Sequence, residues 1–268
     1  MKKTLLGIVL AAVAVQAQEA VPTVEEIVAK ANRAAYYQGR SGRAKVSMSI
    51  KDAQGRERAR EFTILRLDLE PEGDTSDTFT GDQKFYVYFE RPADVNKTAY
   101  LVHKHVGRDD DRWLFLPGLN LVKRIAASDT RTSFVGSDFF YEDVSGRNPA
   151  DDVHELAETT DTYYVLSNTP KDPKAVEFAS YKMWIHKASF IPVKAEYYDA
   201  KGEKIREAQA LEVQQIQGYP TVTKSMMKDL RTGSATTISY TRVEYNIALT
   251  EDIFTERYLR NPPRAQLR

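Results

Sequence analysis

The first clearly patterned stretch places apolar residues at Val24, Ile27, Val28, Ala31 and Ala35. That spacing predicts an amphipathic helix with one apolar face. Thr23 stands where an N-cap belongs and Glu26 follows three residues later, the arrangement of a capping box. Gly39 and Gly42 mark its end. A short one-sided helix must bury its stripe against something broad, and a sheet is the natural surface.

The period then changes to two. Ala44, Val46, Met48 and Ile50 alternate with Lys45, Ser47 and Ser49, and Phe62-Thr63-Ile64-Leu65 begins the returning strand after a turn at Asp52-Ala53-Gln54-Gly55. Further strands are predicted over 85–89, 97–105, 112–116 and 119–125, with Pro117-Gly118 as a turn between the last two. Residues 126–158 have another texture, rich in Ser, Asp and Gly but holding Phe134, Phe139, Phe140 and Tyr141. This predicts a long loop with short helical turns whose aromatics tuck back against the sheet. Strands resume over 162–167, 178–186, 193–198, 205–216, 221–230 and 236–245, joined by turns such as Asp199-Ala200-Lys201-Gly202 and Arg231-Thr232-Gly233. Consecutive strands with short turns form antiparallel meanders, and a sheet of roughly ten or more twisted strands must curl or split. The class expected is mainly β, in one domain over 18–268, without an internal repeat or linker.

The amino terminus adds a location. Met1-Lys2-Lys3 is basic, the run from Leu5 to Val15 is apolar, and Val15-Gln16-Ala17 offers a cleavage site. This is the layout of a secretory signal peptide over 1–17, and the apolar run falls short of the ~20 residues that a spanning helix needs. The expected product is a soluble periplasmic protein. There is no cysteine, which excludes disulfides, thiolate metal sites, cysteine nucleophiles and a lipidated cysteine. The 38 basic residues balance 38 acidic ones, so a nucleic-acid partner, which calls for a strong basic excess, is not expected.

Catalytic signatures are weak. His103 and His105 share a strand face and precede Asp109-Asp110-Asp111, which makes a metal site or a hydrolase conceivable, but two same-face histidines without a third ligand at defined spacing more often mark a half-exposed strand before an acidic turn. Gly136-Ser137-Asp138 lacks the second glycine of a nucleophile elbow, and the phosphate-binding glycine motifs are missing. Glu142 and Asp143 are adjacent, so their side chains diverge and solvation or capping is the simpler role. No cofactor and no metal are called for, and the reading is not that of an enzyme.

The apolar content of the strands says more. Phe85, Val87 and Phe89 alternate with Tyr86 and Tyr88, so both faces of one strand are bulky. A curved sheet with an apolar concave side can enclose a ligand cavity, and flexible methionines suit variable guests. An ordinary sheet-on-helix core would have the same pattern. The expected cavity wall comprises Val46, Met48, Phe62, Phe85, Val87, Phe89, Met183, Ile185, Tyr197, Met226 and Ile238, with Phe134 and Phe139 as a lid. Val87→Trp would separate the two readings, sparing the fold if Val87 lines a cavity.

Three segments together are distinctive: Asp111-Arg112-Trp113-Leu114-Phe115-Leu116-Pro117, Val122-Lys123-Arg124-Ile125, and Ser133-Phe134-Val135-Gly136-Ser137-Asp138-Phe139-Phe140-Tyr141-Glu142-Asp143. With the later hairpin at Tyr197-Tyr198-Asp199-Ala200-Lys201-Gly202 and Phe254-Thr255, the chain resembles the outer-membrane lipoprotein-sorting proteins, larger relatives of the LolA and LolB lipoprotein carriers, over residues 23–262. The resemblance implies an open, incomplete antiparallel β-barrel of about eleven strands with an N-terminal helix and a helical or loop lid. It implies a periplasmic carrier or chaperone holding lipid or lipoprotein acyl chains, working with a membrane exporter or an outer-membrane receptor. The alternative is a non-enzymatic structural partner in an envelope or exporter complex. Within the central motif, Trp113, Arg124, Gly136, Asp138 and Asp143 are expected to be structural. Arg124 and Asp138 or Asp143 are expected to organise the long loop against the barrel rather than perform chemistry.

Overall fold

In the computed structural model, Thr23 opens helix α1 (Val24–Tyr36) through a complete capping box. The Thr23 hydroxyl accepts from the Glu26 amide at 3.2 Å, and the Glu26 carboxylate accepts from the Thr23 amide at 2.8 Å. Thr23→Ala is expected to lower stability by about 1 kcal/mol, the usual cost of losing such a cap, measurable as a small shift of the urea midpoint at unchanged slope. The structure describes residues 21–69 and 80–268. The leader read over 1–17 lies outside the described residues. Among them, no helix is long and apolar enough to cross a membrane.

Among the described residues, thirteen strands follow. They are β1 (Ser41–Lys51), β2 (Glu57–Asp68), β3 (Gln83–Arg91), β4 (Ala99–Lys104), β5 (Asp111–Leu116), β6 (Leu121–Ile125), β7 (Asp152–Thr159), β8 (Tyr163–Pro170), β9 (Ser180–His186), β10 (Pro192–Tyr198), β11 (Lys204–Ile216), β12 (Tyr219–Asp229) and β13 (Ser234–Tyr245). They form one sheet in the order β6-β5-β4-β3-β2-β1-β13-β12-β11-β10-β9-β8-β7. The sheet is antiparallel throughout, and β6 and β7 are its free edges, so it is open rather than closed. The count exceeds the eleven or so expected. One addition is β7, whose residues were read as the end of the long loop because His154, Glu155 and Glu158 dilute the apolar signal of a partly exposed edge strand.

Register explains why β3 is bulky on both sides. Phe85, Val87 and Phe89 belong to the inward cluster with Val46, Met48, Phe62, Tyr100, Phe134 and Ile238. Tyr86 belongs to an outward cluster with Leu65, Leu101, Phe115, Ile253, Phe254, Leu259 and Leu267. The chain after β13, including the short helix α2 (Glu256–Arg260), therefore covers the outer face of β2–β5. Polar anchors fix this cover. The Tyr86 hydroxyl donates to the Tyr258 carbonyl at 2.7 Å, Arg43 donates to the Gln266 carbonyl at 3.0 Å, and Lys45 donates to the Leu267 carbonyl at 2.8 Å. Trp113 lies under the same cover, edge-on to His103 at 5.0 Å between ring centroids.

On the other face, α1 lays Ile27 and Ala31 against Tyr164, Leu166 and Ile185. The segment between β6 and β7 folds back beside it. Phe134 is buried among the rings of Phe62, Phe89, Tyr100 and Tyr141, with centroids 5.5–6.3 Å away. The loop aromatics are thus part of the core, which the chain's composition there had suggested.

Candidate ligand cavity

Across β10–β12 several inward positions are held by small residues. Ala195 pairs with Ala208, Ala208 with Met227, and Ala210 with Ser225, which in turn faces Ile238 of β13. Side chains this short cannot reach the helix and loop opposite, and the space left is a cavity of about 430 Å³. That size lies within the ~300–1,000 Å³ typical of small-molecule sites. Its walls include Met48, Phe62, Ile64, Phe85 and Ile238. Its roof is Ala34, Ala35 and Tyr36 from α1 with Phe134, Phe139 and Val144 from the loop. Strands from both halves of the sheet border the same space, so the sheet curls around it.

The pairing of β12 with β13 runs only from Lys224↔Ser239 to the turn. Beyond it the strands part, and Val222, Tyr240, Val243 and Tyr245 on the two lips border the cavity. Side chains close the far end of this gap. The rings of Tyr219 and Tyr245 sit 4.9 Å apart, and the Thr221 and Tyr245 hydroxyls share a 2.9 Å hydrogen bond.

Of the residues expected on the wall and lid, Met48, Phe62, Phe85, Phe134, Phe139, Met183, Tyr197, Met226 and Ile238 border this cavity. Val46, Val87 and Phe89 do not. They are packed into the inward cluster with 3%, 0% and 0% of their surface exposed. Ile185 borders a smaller neighbouring pocket under α1. Met226 borders the cavity by its place on β12, but it pairs with Thr237, which pairs with Ser49, so the register turns its side chain to the outward face and gives the inward position to Met227, which lines the cavity as well. The alanine floor lies outside the large apolar residues expected on the wall, and its sequence signal is the alternation of Ala208 and Ala210 with Glu207 and Gln209.

A charged belt anchors the roof. Arg206, with its side chain fully buried, donates to the Asp138 carbonyl at 2.8 Å and the Asp143 carboxylate at 3.0 Å, and lies 3.3 Å from Glu177. Its guanidinium rests 3.8 Å over the Phe140 ring. Arg131 binds Glu142 and Glu177, each at 2.7 Å. Burial works against its charge, but the hydrogen bonds to Glu177 and the charges of Asp143 and Glu142 prevail, holding Arg131 more firmly protonated than a free arginine. The Asp138 carboxylate accepts from Ser234 and Thr236 on β13. Asp138 and Asp143 therefore do tie the loop to the sheet, but the cation is Arg206. Arg124, 69% exposed, pairs instead with Asp111 across the β5–β6 hairpin and leans toward Trp113. Arg124 lies close to the loop in sequence, whereas Arg206 reaches it from a strand more than 60 residues away. Gly136 adopts φ 78°, and its carbonyl accepts from Arg58 at 3.3 Å.

Three phenols also face the cavity. Tyr36, Tyr197 and Tyr240 border it, and their hydroxyls make no hydrogen bond among the described residues. Tyr37, Tyr86 and Tyr181 differ, each donating to a carbonyl or carboxylate. Burial pushes Tyr197 and Tyr240 up to about 12. Burial and then the charge of Asp143 raise Tyr36 further, with Tyr197 and Tyr240 adding to the effect. Gly146, at φ 83°, lies flat against Tyr36, and a β-carbon there would come within 2.6 Å of its ring.

The residues considered for catalysis are otherwise engaged. The His103 ring is 2.7 Å from the Phe254 carbonyl, and His105 lies 2.8 Å from Asp82 and 3.2 Å from Asp111. Glu142 and Asp143 are held in the arginine belt. Among the described residues, no group of three or more His, Asp or Glu side chains is placed to hold a metal.

A family model described as an uncharacterized protein matches residues 81–261. No curated protein sequence matches. Among solved structures, a DUF1329 family protein from Desulfovibrio piger is 27% identical, with a TM-score of 0.77 over 87% of this chain and 96% of that one. A domain assigned to the outer membrane lipoprotein-sorting proteins, from Vibrio parahaemolyticus, is 28% identical, with a TM-score of 0.75 over 88% and 97%. A LolA superfamily protein from Nitrosomonas europaea, 23% identical with a TM-score of 0.66 over 89% and 100%, shares the fold.

Proposed function

The chain belongs to the family whose model spans residues 81–261, among the LolA-like outer-membrane lipoprotein-sorting proteins, and on that premise we propose that it is a periplasmic carrier of lipid or lipoprotein acyl chains and not an enzyme. The observation that carries this reading is the cavity. Its floor is built from alanines that leave space, and its walls and roof are mainly apolar. Burying an acyl chain there is favourable by roughly 0.8 kcal/mol per CH₂, so affinity needs no reactive group. The parted strands β12 and β13 supply the entrance, and the Tyr219–Tyr245 contact bounds it. Delivery then requires a donor and an acceptor, of which a membrane exporter and an outer-membrane receptor are the natural pair.

Titration of the purified protein with an environment-sensitive fluorescent fatty acyl probe tests the reading. Saturable binding, with the emission shift of a probe leaving water, is expected. If the folded protein binds no such probe while co-purifying with a stable protein partner, the role is that of a structural component of an envelope complex.

A further inference from the structure

We propose that Tyr36, Tyr197 and Tyr240 form a polar recognition point inside the cavity that hydrogen-bonds the carbonyl of a neutral acyl ester. The inference rests on the carrier reading and names the chemistry of its ligand. These three come from separate elements, α1, β10 and β13, yet border one mainly apolar space, where a polar group without a protein partner is best satisfied by a guest. The helix-end Tyr36 is positioned by the close approach of Gly146, so its orientation is set by packing. An all-hydrocarbon guest would leave all three hydroxyls unsatisfied. An ester at the end of a guest's chain, with two lone pairs on its carbonyl oxygen and a second oxygen beside it, offers acceptors for them.

Charge decides which acceptor. The belt beside the phenols holds the guanidiniums of Arg131, Arg147 and Arg206 against the carboxylates of Glu142, Asp143, Asp152 and Glu177. These cations are thus already matched; Arg43, Arg66 and Lys194, which also border the cavity, each face a carboxylate of their own, and Lys104, behind the Tyr36 ring, donates to the Ser145 carbonyl. A free fatty acid or a phosphate brought to this spot would have to compete with these carboxylates for cations already engaged. The phenols themselves stay protonated, because burial raises them, and they act as neutral donors. An ester carbonyl is a neutral acceptor that fits both conditions.

The test uses three ligands that share a sixteen-carbon chain length: 1-monopalmitoylglycerol, its ether analogue 1-O-hexadecylglycerol, and palmitate. Each displaces the fluorescent acyl probe from the wild type and from Y36F/Y197F/Y240F. A hydrogen bond gained is worth about two- to tenfold in affinity. The wild type is therefore expected to bind the ester at least that much more tightly than the ether, and more tightly than palmitate. The triple variant keeps its rings, loses the preference, and binds the ether as the wild type does. Equal affinities of the wild type for ester and ether, tighter binding of palmitate, or an unchanged ester preference in the variant would overturn this inference and leave the carrier reading in place. Failure of the wild type to bind any of the three would overturn both. The ester-to-ether ratio of the wild type decides the matter even if the variant folds poorly.

Discussion

Arg206→Ala is expected to cost about 3–5 kcal/mol, the range for breaking a buried ion pair by removing one partner. The guanidinium is fully buried, and its loss leaves Asp143 without its strand-borne cation and the Asp138 carbonyl without its donor. For a chain of this size, 1 kcal/mol moves Tm by roughly 2–4 °C, so a drop on the order of 10 °C should be seen. The loop from Ala126 to Asp151 should also become the preferred site of limited proteolysis, because Arg206 is the contact that joins it to β11. Arg124→Ala is the matched control. Its partner Asp111 lies across an exposed hairpin, and an exposed pair contributes about 0–1 kcal/mol. Similar melts for the two variants would refute the assignment of Arg206 as the anchor.

The second large effect is on binding. Ala208 points from the floor of β11 between Ala195 and Met227, into space that nothing fills. Ala208→Trp should occupy that space, keep the fold, and reduce acyl-probe affinity by at least tenfold. Val87→Trp should behave oppositely. Val87 is fully buried in the packed cluster, and overpacking such a site costs about 1–3 kcal/mol. Circular dichroism melts beside probe titrations separate the cases. If Ala208→Trp unfolds the protein while Val87→Trp is harmless, the empty space has been assigned to the wrong side of the inward face.

Much of the architecture was legible because its signals are local. The capping box at Thr23 and Glu26 and the alternation from Ala44 to Ile50 each depend on residues within one element, and each has its observed counterpart. The aromatic loop was also legible, since Phe134 and Tyr141 are too apolar for solvent. What stayed hidden depends on pairing between distant strands. The inward positions of β10, β11 and β12 become a floor only once Ala195, Ala208 and Ala210 are in register. Likewise, Val46, Val87 and Phe89 become core and not wall only because Phe134 descends on them. Met226 and Met227 illustrate the point most sharply. A shift of one residue exchanges faces, and the sequence offers two methionines with no local way to choose. The outer cover by residues 253–267 was missed for a similar reason, as its apolar residues are scattered without a period.

The most direct test of the carrier account is solvent extraction and mass spectrometry of the protein purified without detergent from cells that express it. The account predicts an acyl-bearing lipid in near-stoichiometric amount, absent from Ala208→Trp purified in parallel. A folded wild-type protein that yields no acyl lipid and takes none up from added acyl ester would contradict it.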